Sequence, residues 1–268
     1  MNRYKILFNK LKNKKEGCFI PFLVLGDPFI KLSYKIISTV IKSGADAIEL
    51  GFPFSDPMAD GVIIQKANNR ALKSNINYLH CFSLLKKIRK NFPFIPIGLL
   101  IYVNLIINIG KKNFYKICKK LKIDSILIVD VPVEESSSFL YLSKKYNISQ
   151  IYICPPNAKK KLIKKIALFS TGYIYLLSRN GVTGIKNNSN ISSEKIIKKF
   201  EKLTKIPLLQ GFGIYKKKQI KKIISKGIKG VICGSIIIKL IEKNINDPKL
   251  MLYKLKSLIK SFKNSTKL

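Results

Sequence analysis

The segment from residue 18 to residue 50, CFIPFLVLGDPFIKLSYKIISTVIKSGADAIEL, contains the pattern that decides the fold. It begins with an apolar run, Cys18–Leu25, continues through a lysine-containing segment with helical spacing, and ends in a second apolar run, Ala47–Leu50. Runs that are apolar throughout, without alternation, are typical of strands covered on both faces. A strand, a helix and a second strand in this order predict a parallel sheet.

The same pattern continues to the end of the chain and predicts a class α/β protein. Eight strand candidates favour a closed (β/α)₈ TIM barrel, formed as a single domain by residues 1–268, although an open doubly wound sheet remains an alternative. A barrel of this kind takes about 250 residues. The last helix is expected to begin at Asp247-Pro248. The six further strand candidates are Ile97–Tyr102, Ser125–Val129, Gln150–Cys154, Tyr173–Leu177, Pro207–Gln210 and Gly230–Cys233.

The formal charge of +37 is the most unusual global feature of the chain. Only four of the 51 basic residues are Arg, and the lysines are spread over every predicted helix. Nucleic-acid binding would cluster the charge and favour Arg for base contacts. The composition therefore indicates a bias toward residues with A/T-rich codons and no nucleic-acid partner. The positive field should still attract anionic ligands.

The cysteines and the single histidine argue against a metal site. Five widely spaced cysteines without a CxxC pair are typical of reduced core residues in a cytoplasmic protein. His80 is expected on a helix surface, without a chemical role. The uncharged stretch 92–110 is long enough for a membrane span. Its two prolines and two asparagines favour a buried strand running into a loop instead.

Two carboxylates are the candidate catalytic residues. Glu49 lies inside an apolar strand, where its neighbours should raise its pKa and help it to donate a proton near neutral pH. Asp60 lies in the following loop, directly before Gly61. Two carboxylates in different settings can divide acid and base roles. The alternative is a structural strand carboxylate and an ordinary Asp-Gly turn.

Glycine-rich loops follow the sixth, seventh and eighth predicted strands. After the eighth strand, Gly234-Ser235 begins the next predicted helix. Exposed backbone N–H groups and a helix N-terminus bind phosphate well, and the last loops of a barrel are its usual phosphate site. The alternative is that these turns merely require Gly. The sequence has no dinucleotide fingerprint, no Walker A loop and no evident catalytic Lys on a strand, which disfavours a nucleotide enzyme or a Schiff-base aldolase.

The segment Glu49–Gly61 resembles the signature of tryptophan synthase α subunits, with the pattern E-L-G-x-P-F-S-D-P-x-A-D-G. Similar segments extend over nearly the whole chain, in the family's order. They include Asp130-Val131-Pro132, Gly181-Val182-Thr183-Gly184, Gln210-Gly211-Phe212-Gly213 and Gly234-Ser235.

This resemblance implies a lyase that cleaves indole-3-glycerol phosphate to indole and glyceraldehyde 3-phosphate. Glu49 resembles the general acid–base that protonates indole C3, and Asp60 resembles the carboxylate that binds the indole N–H. Thr183 would belong to a mobile loop over the site. The substrate-binding positions implied are Phe22, Ile64, Leu100, Leu127 and Tyr175 around the indole, with Gly184, Phe212, Gly213, Gly234 and Ser235 toward the phosphate.

The resemblance also implies a partner. A tryptophan synthase β subunit would receive the indole in an α₂β₂ heterotetramer. The pyridoxal phosphate would belong to that partner, so this chain should need no cofactor. No metal and no membrane are implied. The partner-facing positions implied are Pro53, Asp56, Asn104, Asn108 and Glu135.

The main alternative function is another phosphate-binding barrel enzyme that acts on a sugar phosphate. An indole-glycerol-phosphate synthase would require a catalytic Lys near a strand end, and a metal-dependent epimerase would require several His. A non-catalytic basic binding module would require clustered charge and exposed aromatic residues.

Overall fold

The computed structural model describes residues 2–178 and 194–267. In these two ranges, parallel strands form one sheet in the order β5-β4-β3-β2-β1-β9-β8-β7-β6. The strands are β1 (Cys18–Val24), β2 (Ile48–Gly51), β3 (Ile97–Ile101), β4 (Ser125–Ile128), β5 (Ser149–Gln150), β6 (Ile153–Cys154), β7 (Ile174–Leu177), β8 (Leu208–Gly211) and β9 (Gly230–Cys233).

The sheet closes on itself through the short strands β5 and β6. Between them, the N–H of Ile151 donates to the carbonyl of Ile126 on one side, at 3.0 Å. On the other side, the N–H of Tyr175 donates to the carbonyl of Tyr152, at 3.1 Å. The two pieces therefore occupy one barrel position, and the eight predicted strands and the closed barrel are confirmed. The fifth predicted strand differs only in being split.

Helices alternate with the strands and cover the outside of the barrel. Described helices are α1 (Arg3–Asn13), α2 (Ile30–Lys42), α3 (Val62–Lys73), α4 (Tyr78–Asn91), α5 (Val103–Ile109), α6 (Lys111–Lys120), α7 (Ser137–Tyr146), α8 (Lys160–Phe169), α9 (Glu194–Glu201), α10 (Lys217–Ser225), α11 (Ser235–Lys243) and α12 (Pro248–Asn264).

Two helix starts test the sequence predictions directly. Helix α12 begins as expected, because the Asp247 side chain accepts a hydrogen bond from the N–H of Leu250 and Pro248 occupies the first turn. The prediction that the third strand runs into a loop was wrong, because β3 is followed almost directly by α5. A helix cap supplied from the turn after β4, described below, helps so short a helix to form there.

Helix α1 closes the N-terminal end of the barrel and leaves the C-terminal end open. Its Tyr4 is buried, shares a 2.9 Å hydrogen bond with the hydroxyl of Ser125, and packs edge-on against Tyr173 at 5.5 Å between ring centroids. The strands are buried almost throughout. The core therefore fills the barrel, and side chains at the C-terminal strand ends are left to form a site.

The cysteines and His80 have structural positions, as the sequence predicts. All five cysteines are free and buried. The single histidine, His80, is exposed and forms a capping box with Asn77 at the start of α4, as expected for a structural residue. Across residues 2–178 and 194–267, no helix is long and apolar enough to cross a membrane.

Candidate active site

A pocket at the C-terminal end of the barrel contains both candidate carboxylates, Glu49 and Asp60. All of the predicted substrate-binding positions that the structure describes line it with them. These are Phe22, Ile64, Leu100, Leu127, Tyr175, Phe212, Gly213, Gly234 and Ser235. Thr183 and Gly184, also predicted to bind substrate, lie outside the described residues.

Glu49 projects from β2 into a largely apolar interior. It pairs in register with Phe22 on one side and Gly98 on the other, and only 2 % of its surface is exposed. Burial raises the pKa of Glu49 to about 7, against the smaller opposing effect of a hydrogen bond from the Tyr173 hydroxyl at 3.0 Å. A carboxyl with this pKa can donate or accept a proton near neutral pH.

Asp60 lies in the loop between β2 and α3, and 7 % of its surface is exposed. Its Oδ2 accepts hydrogen bonds from the hydroxyl of Tyr102 at 3.1 Å and from the amide of Asn68 at 3.4 Å. Burial raises the pKa of Asp60 to about 6, and the two donors oppose that rise. Asp60 is therefore the more readily ionised of the two carboxyls.

The loop that carries Asp60 is held in place by the same tyrosine. The hydroxyl of Tyr102 also accepts a hydrogen bond from the N–H of Ala59 at 3.1 Å, and its ring stacks on Phe54 at 4.9 Å between centroids. The N–H of Asp60 donates to the carbonyl of Pro57. One side chain therefore fixes both the backbone and the carboxylate of this loop.

Between the carboxyls, the pocket wall is apolar. Besides the predicted residues, four branched aliphatic side chains and one alanine line it: Val129, Ile153, Ile214, Ile232 and Ala59. An apolar pocket that contains two carboxyl groups, those of Glu49 and Asp60, can bind a flat aromatic group and exchange protons with it. Such a site suits an indole ring better than it suits a sugar.

The part of the pocket that Phe212, Gly213, Gly234 and Ser235 line has the features of a phosphate site. After β8, Phe212 and Gly213 both have left-handed backbone conformations, with φ of 69° and 68°. Their carbonyl oxygens are engaged by other side chains: Ser178 donates to the first at 2.6 Å and Gln219 to the second at 3.1 Å. Because these carbonyls are already bonded, the turn presents less negative charge to an anion.

Helix α11 begins at the same part of the pocket. Gly234 precedes it and Ser235 is its first residue, and among the described residues no side chain is seen to cap its N-terminus. An uncapped N-terminus presents backbone N–H groups and the positive end of the helix dipole to a ligand. A Cβ on Gly234 would lie 3.0 Å from Cδ1 of Phe22, so Gly also keeps this approach open.

The predicted partner-facing residues lie around the mouth of the barrel. Asn104 and Asn108 are exposed on α5, and Asp56 and Glu135 are exposed in the loops after β2 and β4. Pro53 differs, since it is buried in this chain. Two apolar side chains near these residues are unusually exposed, namely Met58 (86 %) and Ile107 (55 %). Exposed apolar and polar groups together are typical of a protein interface.

The residues that hold the two carboxylates were not identified from the sequence. Tyr102 and Tyr173 stand at the ends of predicted strands, and Asn68 lies within a helix. Their positions near strand ends were the only available signal. Which hydroxyl meets which carboxyl depends on the closure of the barrel.

Comparison with known proteins identifies the family. A family model described as "Tryptophan synthase alpha chain" matches residues 8–267. The chain belongs to the tryptophan synthase alpha chain family. The resemblance inferred from Glu49–Gly61 is thereby confirmed, together with the expected class of activity, a lyase acting on indole-3-glycerol phosphate.

Individual members of the tryptophan synthase alpha chain family match over their full lengths. The alpha chain of Buchnera aphidicola subsp. Schlechtendalia chinensis is 55 % identical, with 99 % of each chain covered. That of Escherichia coli O81 (strain ED1a) is 48 % identical, with both chains fully covered. The crystal structure of tryptophan synthase subunit alpha from Legionella pneumophila str. Paris has a TM-score of 0.89 and 28 % identity, covering 99 % of this chain and 98 % of that one.

Proposed function

We propose that Glu49 and Asp60 carry out the retro-aldol cleavage of indole-3-glycerol phosphate to indole and glyceraldehyde 3-phosphate. The observation that carries this proposal is the pocket itself. It places two buried carboxyls, with pKa values raised to about 7 and about 6, in one largely apolar cavity that the N-terminus of α11 also lines.

The different environments of the two carboxyls divide their roles. Glu49, protonated near neutral pH, donates its proton to indole C3. Asp60, ionised at the same pH, accepts a hydrogen bond from the indole N–H and stabilises the positive charge that develops on the ring. The bond between indole C3 and the side-chain carbon then breaks. Its electron pair returns to the ring, and the adjacent hydroxyl becomes the aldehyde as its proton passes to the Glu49 carboxylate.

The phosphate binds where the N-terminus of α11 lines the pocket. Backbone N–H groups at Gly213, Gly234 and Ser235 are the donors in this proposal, and the dipole of α11 adds to their attraction. Gly184, which is predicted from sequence and lies outside the described residues, would complete this set. Binding energy at the phosphate orients the substrate, so that the indole ring meets both carboxyls.

The proposal includes a tryptophan synthase β subunit that docks on the exposed residues around the barrel mouth, in an α₂β₂ heterotetramer. Asp56, Asn104, Asn108 and Glu135 provide polar contacts in this docking, and Met58 and Ile107 provide apolar area. Pyridoxal phosphate belongs to that partner, and this chain acts without a cofactor or metal. A cytoplasmic location fits the free, buried cysteines.

An assay of the purified chain with indole-3-glycerol phosphate tests the proposal. We expect indole and glyceraldehyde 3-phosphate to appear in equal amounts, without added metal or cofactor. Parallel assays with phosphorylated sugars test the alternative barrel enzyme. No indole release, alone or with a β subunit, together with turnover of a sugar phosphate, would replace this proposal with that alternative.

A further inference from the structure

The start of helix α5 is capped by a side chain from the turn that follows β4, the neighbouring strand. The N–H of Val103, the first residue of α5, donates to Oδ1 of Asp130 at 2.9 Å. The first N–H groups of any helix lack partners within the helix, and the residue before it commonly supplies one. Here that residue is Tyr102, which makes no side-chain cap.

The hydroxyl of Tyr102 bonds to the loop that carries Asp60 and not to α5. It accepts from the N–H of Ala59 and donates to Oδ2 of Asp60. Its backbone, with φ of −86° and ψ of 144°, is extended and lies directly at the helix start. The direction of the Tyr102 side chain therefore depends on where α5 begins.

The register of the barrel brings Asp130 to this point. Ile101 of β3 pairs with Ile128 of β4, and the N–H of Val129 donates to the carbonyl of Ile101 at 3.2 Å. Two residues beyond the end of each strand, Asp130 consequently stands beside Val103. The parallel pairing of β3 and β4 thus brings the turn after β4 to α5, and this turn provides the cap that the residue before α5 does not.

We propose that Asp130 is a positioning residue for the reaction: by fixing the N-terminus of α5, it holds the Tyr102 hydroxyl that orders Asp60. This inference rests on the proposed role of Asp60. Asp130 is exposed and does not line the pocket, so it acts on the reaction through Tyr102.

The test compares two substitutions at this position in the purified full-length chain. Asp130→Ala removes the cap, whereas Asp130→Asn keeps an oxygen that can accept the same hydrogen bond. From the usual effect of losing an N-cap, we expect Asp130→Ala to lower kcat about tenfold, with KM changed less than about twofold. Asp130→Asn should retain kcat within about twofold of the parent.

Asp247→Ala is the matched control for a lost cap. Asp247 caps the distant helix α12 through a 3.0 Å bond from the N–H of Leu250, and its loss should lower stability while leaving kcat unchanged. If Asp130→Ala and Asp247→Ala both keep the parent kcat, Asp130 is only a structural cap and the inference is overturned. Equal loss of kcat in Asp130→Ala and Asp130→Asn would overturn it as well.

Two further measurements separate positioning from general destabilisation. The Tyr102 hydroxyl lowers the pKa of Asp60 against burial, so Asp130→Ala should move the acid limb of the kcat profile to higher pH. Asp130→Ala should also have little further effect on kcat in a Tyr102→Phe background. If the acid limb stays at the parent pH and the kcat losses of Asp130→Ala and Tyr102→Phe are fully additive, the inference is contradicted. If Asp60→Asn retains full activity, the proposed function itself fails, which is a distinguishable result.

Discussion

The hydroxyl of Tyr173 donates a 3.0 Å hydrogen bond to Oε1 of Glu49, although 124 residues separate the two along the chain. Both side chains are buried, and Tyr173 rests edge-on against Tyr4 of the helix that closes the barrel. The donor stabilises the ionised carboxylate, and burial stabilises the neutral acid. Since burial is the larger effect, the pKa of Glu49 rises to about 7, where a proton can move in either direction during turnover.

Turnover should have a narrow pH optimum. Asp60 must be ionised, which requires a pH above about 6, and Glu49 must be protonated, which requires a pH below about 7. A profile of kcat/KM against pH should therefore rise through the first value and fall through the second. Tyr173→Phe removes a donor that lowers the pKa of Glu49, so the alkaline limb should move to higher pH.

Tyr141→Phe serves as the control for that shift, because Tyr141 is 64 % exposed on α7 and does not line the pocket. It should leave both limbs in place. A profile without a fall on the alkaline side would contradict the protonated role of Glu49.

Glu49 should reduce the stability of the fold at alkaline pH. Folding raises its pKa from an ordinary 4.5 to about 7. Its contribution is therefore most favourable below pH 4.5 and is lost as the pH rises through about 7. This shift corresponds to about 3 kcal/mol. The free energy of unfolding of Glu49→Gln, relative to that of the parent, should therefore increase by up to that amount as the pH rises from about 5 to about 8. Urea unfolding at the two pH values measures this change. If this difference in the free energy of unfolding is the same at pH 5 and pH 8, folding does not raise the pKa of Glu49.

The glycine positions at the phosphate end should control substrate affinity. A Cβ on Gly234 would press on Phe22, and Gly213 has a φ of 68°, so alanine at either position should disturb the backbone donors. We expect the KM of Gly213→Ala and Gly234→Ala to rise about tenfold, and inorganic phosphate to compete with substrate in the parent.

Gly227→Ala is the control for backbone strain, since Gly227 has a φ of 90° and an added Cβ there would meet no atom within 4 Å. It should change stability without changing KM. Unchanged KM in both phosphate-end variants, with the fold intact, would exclude this site.

A β subunit of tryptophan synthase should raise the rate of indole release. The loop from Pro53 to Asp60 joins partner-facing and catalytic positions, and a partner that holds it closed reduces the entropy lost in each turnover. Rates with and without the partner, together with sedimentation of the mixture, measure this effect. Asp56→Ala should weaken association, whereas Tyr253→Ala, on the exposed surface of α12, should not. Equal rates and no co-sedimenting complex would show that the chain is a free-standing lyase.

Much of the fold could be predicted because a parallel barrel leaves a strong sequence pattern. The runs Cys18–Leu25 and Ala47–Leu50 coincide with β1 and β2 to within a residue at each end. Helix α5 was missed because its N-terminal cap, Asp130, comes from the turn after β4 and leaves no local signal.

The candidate site was predictable where function requires a particular residue type. Two carboxylates stand out from the sequence alone: Glu49, which lies within an apolar strand, and Asp60, which precedes Gly61. The residues that tune them do not, because Tyr173 and Tyr102 resemble ordinary strand residues until the barrel closes. The burial of Pro53 was also unpredictable, since it depends on packing around the loop rather than on the neighbouring residues in the sequence.

Indole release by Glu49→Gln tests the central claim most directly. The glutamine keeps the shape of the side chain and can still accept the Tyr173 hydrogen bond, but it cannot donate a proton as an acid. With indole-3-glycerol phosphate at saturation, we expect kcat to fall by roughly 10²–10⁴-fold, while the affinity for inorganic phosphate remains at the parent value. A Glu49→Gln chain that releases indole at nearly the parent rate would contradict the account.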